Sequence, residues 1–102
     1  MGKKRGRLAI IAAILEATKS VNCKTRIMLQ ANLNFDLLEK YLNIIVKIGL
    51  IQVNDQKYEL TKEGQDFLKR YKHLQERYVN AKDFLKTLDY EYQQLEMLIS
   101  KP

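Results

Sequence analysis

Tryptophan is absent from the 102 residues, and cysteine, proline and histidine occur once each. A lone Cys23 excludes an internal disulfide and any cysteine-built metal site. The one proline is Pro102, so no proline interrupts a helix anywhere before the last residue. Four glycines exclude collagen-like and low-complexity chains. Long apolar runs are missing too. The longest, Leu8 to Leu15, falls far short of the roughly 18 residues of a membrane span. With the basic residues before it, that run faintly imitates a signal peptide. Glu16 and Lys19 stand where a small-residue cleavage site belongs, and the expectation is a cytoplasmic protein.

What is present is a globular composition, 46% hydrophobic and 29% charged, enough for one small domain. Eighteen Lys and Arg against twelve Asp and Glu give a net charge of +6. A basic chain of this size points first to a polyanion such as nucleic acid, and second to an anionic membrane surface. The excess is local. Residues 1–60 carry ten basic and five acidic side chains, whereas residues 61–102 carry eight and seven. The two parts are therefore expected to do different jobs.

Three helices and a hairpin are expected in the first sixty residues. Leu8, Ile11, Leu15 and Thr18, with Ile14 beside them, recur at helical spacing, and Asn22 can cap the next helix. That second helix fits Lys24 to Gln30, with Ile27, Met28 and Ala31 inward. Ala31-Asn32-Leu33-Asn34 reads as a tight turn, with Asn34 an N-cap and Asp36 in the first turn of a third helix. Leu38, Tyr41, Leu42, Ile45 and Ile48 mark that helix's buried face, and Gly49 closes it. Leu50–Val53 and Lys57–Leu60 are short β-like runs around the turn residues Asn54-Asp55-Gln56. Three helices and then a hairpin is the order of a winged helix-turn-helix, residues 8–60, preceded by a basic arm, residues 1–7.

From Thr61, a further N-cap, the pattern changes. Phe67, Tyr71, Leu74, Tyr78, Ala81, Leu85, Leu88, Tyr92, Leu95 and Ile99 alternate spacings of four and three without error, a coiled-coil repeat. Residues 61–99 would form a helix roughly 58 Å long at about 1.5 Å per residue. So long a stripe requires a second chain, most economically a copy of the same one, making those ten residues a dimer interface. In an antiparallel pair Arg77 faces Glu91 of the copy and Lys82 faces Asp89. In a parallel pair like charges meet instead, so the antiparallel orientation is expected.

Lys24-Thr25-Arg26-Ile27-Met28, Ala31-Asn32-Leu33-Asn34, Tyr41-Leu42, Gly49-Leu50-Ile51 and Tyr58-x-Leu60-Thr61-Lys62-x-Gly64 resemble the small dimeric winged-helix DNA-binding proteins of crenarchaea, often described as chromatin or nucleoid proteins. The resemblance runs over nearly the whole chain and is most specific from Lys24 to Asn34. It implies an antiparallel coiled-coil dimer with a DNA-binding winged helix at each end, in an archaeal, nucleoid-associated setting.

In such a fold the third helix enters the major groove. The outward candidates are Asn34, Asp36, Leu37, Lys40, Asn43 and Lys47. Asn34 and Asn43 suit base edges, and Lys40 and Lys47 suit phosphates. The plainer alternative is that Asn34 only caps the helix and Asn43 is solvated. No arginine lies on this helix, and Asp36 and Glu39 oppose phosphate unless turned away, so strong sequence preference is not expected. Backbone contact is better supported, by Lys24 and Arg26 opening helix 2, Gln56 and Lys57 at the wing, and Lys3, Lys4, Arg5 and Arg7 in the arm. Such an arm is often only a solubilising tail. Catalysis finds no footing, because His73 and Cys23 stand alone and no metal or cofactor motif is present. Three readings stay open: a homodimeric architectural DNA-binding protein, a transcription regulator with a defined operator, and a protein-interaction module.

Overall fold

The computed structural model describes residues 6–100. It divides into two compact units, one extending to Tyr71 and one beginning at Lys72. The elements run α1 (Arg7–Ala17), α2 (Lys24–Ala31), α3 (Phe35–Lys47), β1 (Ile51–Asn54), β2 (Lys57–Leu60) and α4 (Lys62–Ile99). The fold is mainly α, a winged helix-turn-helix with a long C-terminal helix after it.

Helix α1 buries Ile10, Ile11, Ala12, Ile14, Leu15 and Ala17, nearly its whole circumference, and packs against both α2 and α3. It is the centre of the first unit's core, which Ile27, Leu38, Leu42, Ile45 and Ile51 complete. Three apolar expectations fail. Leu8 is exposed because it lies in the first turn, before α1 enters the core, and Ile48 because it is the C-cap where α3 ends. Leu37, expected outward, is half-buried against the core.

The ends of these helices are set by particular residues. Asn34 Oδ1 accepts from the Leu37 amide at 2.8 Å and starts α3. At the other end Gly49 has φ +86°, the left-handed conformation that glycine adopts without Cβ crowding. The Gly49 amide donates to Val46 O and the Leu50 amide to Ile45 O, the paired bonds of a Schellman closure. Asn32, φ 57°, ends α2 the same way, with Leu33 N bonded to Met28 O. Asn22 does not cap α2. The N-cap is Cys23, without a side-chain bond, and the Asn22 carbonyl instead accepts from the Tyr58 amide at 2.9 Å.

Strands β1 and β2 pair antiparallel with Asn54 opposite Lys57, so Asp55 and Gln56 form a two-residue turn. Both have positive φ, 48° and 63°, which matches the right-handed twist of the strands they join. Asn54 Nδ2 donates to Glu59 Oε1 across the hairpin at 2.7 Å.

Helix α4 starts from Thr61, whose hydroxyl donates to Gly49 O at 2.6 Å and accepts from the Gly64 amide at 3.0 Å. Gly64 is buried where a Cβ would stand 2.1 Å from Leu50 O. Leu68 is buried in the core, with Phe67 and Tyr71 packed against it. The first unit thus takes in the opening turns of α4. In the second unit every described residue from Lys72 to Ser100 is exposed.

Candidate nucleic-acid interface

Helix α3 divides cleanly. Leu38, Tyr41, Leu42 and Ile45 face the core, and Asp36, Lys40, Asn43 and Lys47, spaced four, three and four, form a continuous exposed face. Asp36 suits the positive end of the helix dipole and Lys47 the negative end. Lys40 Nζ lies 5.6 Å from the centroid of the Tyr41 ring. The Asn34 side-chain carbonyl oxygen is engaged as the helix cap.

Glu39 does not stand open beside this face. It is bonded to Lys24 Nζ, the first residue of α2, and both side chains are about a third exposed, 35% each. The Glu39 carboxylate holds the Lys24 ammonium above its ordinary value of 10.5, partial burial works against this, and Tyr58 adds to the rise. Lys24 Nζ also stands 5.7 Å from the centre of the Phe35 ring. One lysine therefore connects α2, the first turn of α3 and the wing, and its charge is already engaged.

Arg26, Gln56 and Lys57 are exposed. Arg7 is exposed as well, but as the first residue of α1 rather than part of the arm, because Gly6 in extended backbone supplies the N-cap. Lys3, Lys4 and Arg5 lie outside the described residues. A cleft of about 220 Å³ between α3 and the hairpin is walled by Leu42, Val46, Val53 and Tyr58, with Glu39, Asn43 and Lys47 around it. Among the candidate contacts that are exposed, Arg7 thus sits on α1, Arg26 on α2, Lys40 and Lys47 on α3, and Lys57 at the hairpin tip.

A family model described as winged helix-turn-helix matches residues 4–79. The chain belongs to the winged helix-turn-helix family. This winged helix-turn-helix resembles the solved structure of Sso10a-2, a DNA-binding protein from Sulfolobus solfataricus, with 27% identity and a TM-score of 0.64 over 82% of this chain and 96% of that one. The multiple antibiotic-resistance repressor MarR of Listeria monocytogenes shares the fold, with 17% identity and a TM-score of 0.52 over 91% and 73%. An uncharacterized protein of Methanocaldococcus jannaschii, MJ0287, is 38% identical over 63 residues. That match takes in 61% of this chain and spans 65% of the relative's length.

The stripe residues of α4 fall in two places. Phe67 and Tyr71 pack on the core of the winged helix-turn-helix unit. Leu74, Tyr78, Ala81, Leu85, Leu88, Tyr92, Leu95 and Ile99 are exposed in the second unit, Tyr92 by 72% and Ile99 by 80%. Leu68, one position after Phe67 and off the stripe, is the α4 side chain most deeply buried in that core; periodicity alone does not single it out. No group of three or more His, Cys, Asp or Glu that could hold a metal ion occurs among the described residues. None of their helices is long and apolar enough to cross a membrane.

Proposed function

We propose that the chain is a homodimeric DNA-binding protein of architectural type, holding duplex DNA mainly through the phosphate backbone with weak sequence preference. The observation that carries this is the exposed Asp36–Lys40–Asn43–Lys47 face of α3, on a winged helix-turn-helix whose Arg26 and Lys57 are also exposed. Helix α3 lies in the major groove, led by its N-terminal residues, while Arg26, Lys57, Arg7 and the arm residues Lys3, Lys4 and Arg5 neutralise phosphates. Likeness to Sso10a-2, a DNA-binding protein, over most of both chains supports the same reading.

Pairing is argued from the second unit. A helix that exposes Leu74, Tyr78, Leu85, Leu88, Tyr92, Leu95 and Ile99 leaves a continuous apolar seam in water, and a copy of the chain buries it. The pair is antiparallel through residues 61–99, with Arg77 near Glu91 and Lys82 near Asp89 of the copy, and it joins two winged domains. Such a dimer bends one duplex or bridges two. The family and the surface call for binding rather than catalysis.

Fluorescence anisotropy of the full chain against two unrelated duplexes, titrated with salt, tests this. Similar affinities that drop together by about a hundredfold or more from roughly 50 to 200 mM salt are expected. A sharp preference for one sequence would make the chain a transcription regulator. Absence of binding at about 50 mM salt would leave a protein partner for the exposed face.

A further inference from the structure

We propose that Phe35 reads thymine, its ring covering the C5-methyl group in the major groove; the inference rests on the DNA-binding reading above. Phe35 is the first residue of α3, directly after the Asn34 cap, at the end of the helix that leads into the groove. It is 55% exposed and is not among the side chains packed on the core of its unit. More than half of its surface therefore stands open to a ligand.

The ring has a charged neighbour. Lys24 Nζ stands 5.7 Å from its centroid, and Lys24 is in turn bonded to Glu39 one turn further along α3. The contact places a cation beside the ring at the start of the helix before any ligand arrives.

What such a ring can meet is limited by the chemistry of the groove. Bases in a duplex stay stacked, and their major-groove edges present hydrogen-bond donors, acceptors and a single apolar group, the thymine methyl. Asn43 on the exposed face suits the donors and acceptors, which leaves the methyl to Phe35. The consequence is a mild preference for thymine at one position under each winged domain, within binding that is otherwise set by phosphates.

The experiment compares one AT-rich duplex with the same duplex carrying deoxyuridine for thymidine, which removes only the methyl groups. Wild type and Phe35→Ala are titrated by anisotropy across the same salt range. For wild type, the uracil duplex is expected to bind about fourfold more weakly for each methyl covered. Phe35→Ala should bind both duplexes alike, near the wild-type value for uracil, with an unchanged salt slope. A GC-rich duplex with 5-methylcytosine should bind wild type more tightly than its unmethylated form, and Phe35→Ala no differently. Circular dichroism checks that the variant is folded. Equal wild-type binding to thymine and uracil duplexes, with steep salt dependence intact, overturns the role of Phe35 and leaves the DNA-binding reading standing. So does a Phe35→Ala loss that is the same on both. Failure to bind any duplex overturns both readings together.

Discussion

Lys24 and Glu39 lie fifteen positions apart and meet because the first residue of α2 lies beside the second turn of α3. Glu39 is an acid on the helix proposed to approach DNA, and the pairing removes most of its opposition to phosphate. It also withholds Lys24. Glu39→Gln is expected to release that lysine, raising affinity for duplex DNA several-fold and steepening the log–log salt slope by about 0.9, one phosphate's worth. Anisotropy at three salt concentrations reads both, and an unaltered slope would mean Lys24 stays away from phosphate. The pair also couples to pH. Lys24's raised value means its contribution to stability is complete below about 10.5 and is lost as pH climbs through the folded-state value. Urea midpoints of wild type and Lys24→Met should therefore converge at strongly alkaline pH. The difference at neutral pH should be small, since both partners are a third exposed. Gly64 shows the opposite extreme. A methyl there would collide with the Leu50 carbonyl oxygen and the Leu60 side chain, 2.1 and 2.7 Å away. Gly64→Ala should cost about 3 kcal/mol or more in urea unfolding, far beyond its gain in helix propensity.

Among the elements, those whose limits are written in local chemistry are legible in the sequence. Asn34 and Thr61 accept amide hydrogens at the starts of α3 and α4, Gly49 closes α3 with positive φ, and Asp55-Gln56 makes the hairpin turn. Each is a decision taken within four or five residues. The contacts that bring distant segments together are not legible. Periodicity places Phe67 and Tyr71 in a seam for a second chain, but the neighbouring Leu68 is what the core buries, and those two pack beside it. Where α4 leaves the core, after Tyr71, is a property of the packed domain that no spacing within α4 encodes. The Lys24–Glu39 pair escapes for the same reason, whereas the exposed face of α3 comes directly from its helical period. Thr61 combines both kinds of information, capping its own helix and bonding the end of another. Thr61→Val keeps the shape and removes both bonds. It should lower stability by about 1–2 kcal/mol, readable as a reduced melting temperature.

At the scale of the whole molecule, the proposed dimer makes stability depend on concentration, because only association buries the seam of the second unit. Its orientation is open to charge reversal. Arg77→Glu should weaken self-association in sedimentation equilibrium, and adding Glu91→Arg to the same chain should restore it if the copies run antiparallel. A double variant as weak as the single would reverse that assignment. Helix α4 is rooted where α3 ends, since one hydroxyl, that of Thr61, grips the Gly49 carbonyl and the first turn of α4 together. The two helices are thereby geared. In the proposed DNA-bound dimer, a twist applied to α4 would reach the end of α3 through Thr61 and through the Gly64 and Leu68 contacts beside it.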